Sequence, residues 1–391
     1  MFSFFFRPLP WEYGVRNLMR RPGRSAMTTV GLTIVCLLVV LVVSFLRGLE
    51  RTLAVSGDAD TVLVHLVGAS ENLENSSVPA RTATLVSASL AAVRKSANGA
   101  YVSPELFMGA RLTLEGNIQK SMGLIRGVTT SVPLVRQKFQ LLSGHWPQQN
   151  EILVGRLASA KLGAVRDQLA VGKPIQLEGK TWKVSGTFAV GGSAMESELW
   201  CRLEDFQLAL KRDDLCMVAL KLAPGSDFGD VDEFCKDRLD LSLESTPEQT
   251  YYQTLQRNYG PIRSVAWIIV GLVSAAGVFA GLNTMFASVA GRVREIACLQ
   301  TMGFGRRAIG LSLIQEGVIL AATASLIAAL VGVLLLDGAA VRFTMGAFSL
   351  RVDPTTLWIG CAVGMFIGIA GSVPPAIRAM RLPIVEGLKS L

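Results

Sequence analysis

Residues able to do chemistry are few in this chain of 391 residues, and they are poorly spaced for it. His65 and His145 are the only histidines and stand 80 residues apart. There is no HExxH to set two imidazoles on one helix face and no GxSxG to expose a nucleophilic serine. Gly191, Gly192 and Ser193 lack the following Lys-Ser or Lys-Thr of a phosphate-cradling loop, so the chain is not expected to hydrolyse ATP by itself. Glu196 with Glu198, and Asp213 with Asp214, are paired carboxylates of the kind that acid–base work uses. Only short spacing recommends them, and they read as solvated loop charges. Glu316 differs, because it stands inside a long apolar run, where an ionisable residue is costly and by default a functional candidate. Snorkelling or a hydrogen bond to a neighbouring helix would remove much of that cost, which favours a structural role.

The elements that must position these residues are four long runs nearly free of charge, at 26–46, 264–289, 311–336 and 355–373. About 20 helical residues cover the ~30 Å hydrocarbon core, so each can span a bilayer. Gly277 and Gly281 in the second run, and Gly360, Gly364 and Gly368 in the fourth, repeat at the four-residue spacing that permits close backbone approach between helices. Two copies of a four-span chain are expected to pair around the first and second spans, with Gly277 and Gly281 as the contact points.

Charge orients the runs. Arg7, Arg16, Arg20, Arg21 and Arg24 precede the first; Arg292, Arg294, Arg306 and Arg307 fill the gap before the third; Arg378, Arg381 and Lys389 follow the fourth. Only Glu12, Glu295 and Glu386 oppose them, with Glu316 just inside the third run. Residues 47–263 carry 24 basic and 24 acidic residues, so the net charge of +8 lies on one side of the membrane. By the positive-inside rule both termini are cytoplasmic and the long segment is outside. Charge that flanks spans and forms no extended patch excludes nucleic-acid binding. The basic region before the first run and the length of its apolar core make it a retained anchor and not a cleaved signal peptide. Cys201, Cys216 and Cys235 lie outside; three is odd, so at most one internal disulfide forms there, and buried free thiols are expected. No spacing suggests a metal site.

The chain therefore divides into a basic cytoplasmic segment (1–25), a first span (26–46), an extracytoplasmic domain with a stalk (47–263), a second span (264–289), a cytoplasmic segment (290–310), a third span (311–336), an external loop (337–354), a fourth span (355–373) and a cytoplasmic tail (374–391). In the outer domain, strand-like runs lie at 61–67, 111–115, 151–154, 174–177, 182–190 and 215–222, and helical runs at 81–96, 156–162, 228–239 and 247–259. That mixture predicts an α+β domain, in two lobes, with a mobile polar loop at 69–77.

Within 290–310, REIACLQTMGFGRR runs from Arg294 to Arg307. At about 100° per residue, Val293, Ile296, Ala297 and Leu299 share an arc with Gln300, and Arg294, Glu295, Cys298, Thr301 and Met302 take the other. Gly303 is placed to end the helix, and Arg306 and Arg307 follow where the chain re-enters lipid. Spacing alone leaves a plain loop equally open.

One span, a large outer domain, three more spans and REIACLQTMGFGRRAI between the second and third of four together resemble the MacB/FtsX-like permeases of ABC transporters. Further matches are Asn17, Leu18 and Arg20, Glu316, and Pro375, Ala379, Arg381, Pro383 and Glu386; outside, EILVGRLASAKLG and VGKPIQLEGKTWKVSGTF resemble the MacB-type periplasmic core. The resemblance implies four transmembrane helices with a large α+β MacB-type periplasmic domain between the first two. It implies that Arg294, Glu295, Ile296, Leu299, Gly303, Arg306 and Arg307 form a coupling helix that docks on a separate ABC ATPase dimer, where ATP and Mg would bind. The chain itself would be a non-catalytic permease subunit without cofactor, in the cytoplasmic (inner) membrane. Its partners would be membrane lipid, a second permease chain (a copy or a paralogue) and a periplasmic adaptor protein, with no nucleic acid. Its work would be mechanotransmission driving export or extraction of an amphiphile, lipoprotein, peptide or drug. The alternative is an FtsX-like regulator that switches a cell-wall hydrolase.

Overall fold

The computed structural model describes residues 11–20, 22–97, 99–114, 120–343 and 346–384. Arg7, Arg21, Glu386 and Lys389 lie outside the described residues. The helices in chain order are α1 (Trp11–Arg20), α2 (Pro22–Ser56), α3 (Arg81–Ser89), α4 (Val132–Val135), α5 (Ala158–Leu162), α6 (Leu203–Leu210), α7 (Phe228–Asp237), α8 (Glu248–Asn258), α9 (Gly260–Ala290), α10 (Val293–Thr301), α11 (Arg306–Leu335) and α12 (Pro354–Met380). The chain forms two compact units, one of Met1–Arg47, Pro261–Ala339 and Leu350–Leu391, the other of Gly48–Gly260 and Ala340–Ser349.

The first unit is a helical bundle. Helices α2, α9, α11 and α12 are 35, 31, 30 and 27 residues long and apolar enough to cross a membrane. Each extends beyond its apolar run at one end or both, because apolarity marks the part that lipid must cover, whereas a helix continues until a stop signal. Asp353 supplies a start signal for α12: its carboxylate accepts from Thr356 N at 3.0 Å and Thr356 Oγ1 at 2.8 Å, with Pro354 in the first turn. Arg47 of α2 donates to the same carboxylate from Nε at 3.2 Å, and its Nη2 lies 3.1 Å away. Leu32, Leu320, Ala324 and Ile367 pack inside the bundle, while Leu272, Phe279, Leu334, Trp358 and Phe366 point outward, as lipid-facing side chains do.

The second unit is built on a ten-stranded sheet. Its strands are β1 (Thr61–Leu66), β2 (Val102–Leu114), β3 (Ser121–Val128), β4 (Phe139–Gly144), β5 (Glu151–Gly155), β6 (Pro174–Leu177), β7 (Lys180–Val190), β8 (Leu199–Arg202), β9 (Met217–Lys221) and β10 (Leu243–Pro247). The order is β10-β1-β9-β2-β3-β8-β5-β7-β4, and β6 pairs with both β7 and β2, so six strands close into a ring. Strand β2 belongs to both parts: its start pairs with β9 (Val102↔Leu220) and its end with β6 (Leu114↔Ile175). The two lobes expected from the sequence are therefore one sheet sharing one long strand. Trp182, Phe188 and Trp200 of the sheet and Phe206 of α6 are fully buried.

Two segments differ from expectation. Residues 337–354 are not a plain loop, since Ala340–Phe343 (β11) and Gly346–Ser349 (β12) form an antiparallel hairpin. The polar stretch 69–77 is pinned and not free: Leu73 is buried, and Ser76 Oγ accepts from Leu66 N at 3.0 Å.

Candidate coupling site

Helix α10 divides its residues between two environments. Ile296 and Ala297 are buried and Leu299 half-buried, while Arg294, Glu295, Cys298, Thr301 and Met302 are exposed. The inner side joins Val289, Ala308, Ile309, Leu313, Ala376 and Ala379, contributed by α9, α11 and α12. The helix ends at Gly303, whose φ of +91° only glycine adopts cheaply. Gly303 N donates to Gln300 O at 3.1 Å and Phe304 N to Leu299 O at 3.2 Å, the paired bonds of a Schellman cap. Gly303, Arg306 and Arg307 thus fall outside α10 itself. Gly303 is its cap, and the exposed Arg306 and Arg307 open α11.

Arg292 sits at the corner between α9 and α10 and turns inward. Its Nη1 lies 3.2 Å from both carboxylate oxygens of Glu316, and its Nη2 3.0 Å from Oε1. Asn17 of α1 donates from Nδ2 to the same Oε1 at 2.6 Å. Glu316 is ten residues into α11, deeper along its helix than the apolar run implied. A carboxylate there is tolerable only because a guanidinium and an amide satisfy it together. Burial pushes the nearby Tyr13 hydroxyl above its ordinary pKa. The result is a joint: α1, the α9–α10 corner and α11 meet on one carboxylate.

The predicted packing glycines all lie at helix contacts within the chain. A Cβ on Gly360 would sit 2.6 Å from Val40 Cγ2. One on Gly364 would overlap Ser325 Oγ and approach Cys36 Sγ to 3.0 Å, and one on Gly368 would overlap Ala321 Cβ. Gly277 would meet Val35 Cγ1 at 2.9 Å and Ile367 Cδ1 at 3.1 Å, and Gly281 faces Gly371 Cα at 3.6 Å. Gly277 and Gly281 thus seat α9 on α2 and α12 of their own chain.

His65 is buried, its ring nitrogens 2.9 Å from Leu66 O and Thr246 Oγ1. Glu196 and Glu198, expected to be solvated, are buried. Glu196 accepts from Arg156 Nη2 at 2.6 Å and from the Val190 and Gly192 amides. Glu198 takes Arg126 in a two-pronged pair at 2.6 and 2.7 Å and the Trp200 indole at 2.8 Å. Cys201, Cys216 and Cys235 are buried free thiols. Among the described residues no group of three or more His, Cys, Asp or Glu is placed to hold a metal ion.

Sequence comparison assigns both units. Residues 25–233 match the model of the MacB-like periplasmic core domain, and residues 267–384 that of the FtsX-like permease C-terminal domain. The chain belongs to the MacB/FtsX-like ABC transporter permeases. One relative, the uncharacterized ABC transporter permease YknZ of Bacillus subtilis (strain 168), is 22% identical over 403 residues, spanning 95% of this chain and 96% of that one. Two crystal structures are similar to the outer domain. The periplasmic region of MacB from Actinobacillus actinomycetemcomitans is 10% identical, with a TM-score of 0.39, over 51% of this chain and 94% of that one. The extracellular domain of YknZ, a noncanonic ABC-type transporter from Gram-positive bacteria, is 11% identical, with a TM-score of 0.36, over 48% and 99%. As a MacB/FtsX-like permease the chain is membrane-embedded, has an extracytoplasmic domain between its first two long helices, and implies an ATPase partner.

Sequence reasoning singled out Glu316 and Asn17 but took Arg292 for one more loop cation. The available signal was its position, adjoining the end of a span in a chain that already carries an unpaired intramembrane carboxylate.

Proposed function

We propose that this permease is the mechanotransmission subunit of its transporter, converting ATP hydrolysis on a separate ATPase dimer into movement of the extracytoplasmic domain. That movement would drive export or extraction of an amphiphile, lipoprotein, peptide or drug. The observation that carries the reading is the two-sided construction of α10. Its exposed Arg294 and Glu295 offer charges that can set register on a partner. Its base is clamped through Arg292 to Glu316, so a push on α10 is delivered to α11 and not absorbed by a soft loop. The excess of arginines at this end of the helices argues for the cytoplasmic side, where an ATPase and its MgATP are found, and hence for cytoplasmic termini. An ATPase dimer offers two clefts, which argues for two permease chains per transporter, copies or paralogues.

Purification from the native host with mass spectrometry of the bound proteins tests this. An ATPase with a Gly-x4-Gly-Lys-Ser/Thr loop is expected, and its consistent absence overturns the reading.

A further inference from the structure

The outer domain holds a half-open cavity of about 460 Å³, within the range of small-molecule sites. It is bordered by the end of α2, by α8 and by the β11–β12 hairpin. Six aromatic rings stand in its wall: Phe107, Tyr251, Tyr252, Tyr259, Phe343 and Phe348. The Tyr259 and Phe343 rings lie 5.5 Å apart, and the Tyr251 and Tyr252 rings 5.2 Å apart. None of this serves the coupling site.

At the back of the cavity lies a buried ionic cluster whose charges do not cancel. Arg126 reaches Glu105 at 2.5 Å and Glu198 at 2.6 Å, while Arg136 pairs with Glu248 and lies 3.6 Å from Glu105. Three carboxylates thus share two guanidiniums, and all five side chains are more than nine-tenths buried. Hydrogen bonding is incomplete as well: Arg136 Nε and Nη2 and Glu105 Oε1 have no hydrogen-bond partner among the described residues. Glu71 and Glu74 also line the cavity and add further negative charge. An anionic ligand would find Arg136 Nε and Nη2 open to an acceptor, but it would add to this excess of negative charge. A neutral one would leave the excess charge uncompensated, which burial makes costly. A cation would offset it, and electron-rich ring faces favour cations too. One such contact is already made, since the Arg126 guanidinium lies 4.5 Å from the centre of the Phe107 ring.

We propose that this cavity is a binding site for a hydrophobic cation, an amine or quaternary ammonium group carrying an apolar body. The inference deepens the transport reading by naming a ligand class, yet binding itself needs no ATPase.

The test uses the full chain in lipid nanodiscs, with hexyltrimethylammonium followed by equilibrium dialysis and with hexanesulfonate and hexanol as controls of equal chain length. Saturable binding of one cation per chain is expected, with neither control competing. Tyr251→Leu, which removes a ring and keeps its bulk, should weaken binding by about three- to tenfold. Leu255→Trp should abolish it by filling the space. Glu71→Lys, at an exposed position where folding is not at stake, should weaken it about two- to threefold. Equal or tighter binding of hexanesulfonate, or cation binding untouched by all three variants, overturns the proposal. Loss of this site with permease-dependent ATPase stimulation intact would remove the ligand class and leave the transport reading. Binding without any stimulation of a co-purified ATPase would do the reverse.

Discussion

Arg292 and Glu316 stand 24 residues apart in the chain and form an ion pair with an N–O distance of 3.0 Å, their side chains 7% and 2% exposed. The pair closes the corner between α9 and α10 onto α11. Removing one partner leaves a buried charge without compensation, which costs about 3–5 kcal/mol. Arg292→Met and Glu316→Leu singly should therefore lower stability in denaturant titration by about that amount. The double variant should recover most of the loss, because two apolar side chains of similar bulk carry no such penalty. Additive losses in this cycle would show that the pair is not coupled.

The glycines of α12 allow its neighbours to approach, and the effect depends on position. Gly364→Ala places a methyl group on Ser325 Oγ and should destabilise by about 1–3 kcal/mol through overpacking. Gly271→Ala in α9 meets nothing within 4 Å and should lie within about 0.5 kcal/mol of the parent. Thermal unfolding of the two variants in the same detergent distinguishes them. Equal melting temperatures would mean that α11 and α12 do not depend on this contact.

What the sequence made legible follows the range of the force involved. Lipid imposes a minimum apolar length on each span, so the four runs stand out without any partner. The two faces of α10 are a local matter of helical period, and Ile296 could be separated from Glu295 by counting. Pairings across the fold leave no such trace. The partners of Glu196 and Glu198 are Arg156 and Arg126, 40 and 72 residues away, and nothing local marks either carboxylate as buried. Strand β8 escaped for a related reason: Leu199, Trp200 and Cys201 are all buried, and such a strand loses the alternation that identifies half-buried ones. Gly277 and Gly281 were legible as packing residues, but spacing cannot say whether the facing helix belongs to the same chain.

Cys298 is the exposed thiol of α10, whereas Cys36, Cys201, Cys216 and Cys235 are buried and Cys361 is half-buried. An impermeant maleimide should leave it unmodified in intact cells and label it after permeabilisation, with Cys298→Ser abolishing the signal. Labelling of Cys298 in intact cells would invert the topology and remove the docking surface from reach of any ATPase.

If α10 transmits force, its axis and its exposed charges should matter for different reasons. Ala297→Pro removes a helical hydrogen bond and costs about 3 kcal/mol or more locally. Because Ala297 is buried against the bundle, the kink should loosen the seat of α10 while the four long helices and the outer sheet stay folded. Glu295→Arg acts on the opposite side. Its side chain is exposed, so the change should leave stability within about 1 kcal/mol, yet it reverses a charge that an interface would use to set register. Both variants should express and insert normally and lose stimulation of the partner ATPase, the first by failing to deliver motion and the second by failing to dock. Co-purification separates the two: the ATPase should remain bound to Ala297→Pro and be lost from Glu295→Arg. Full stimulation by both would reduce α10 to a connector between spans, since neither its rigidity nor its exposed charge would then be needed.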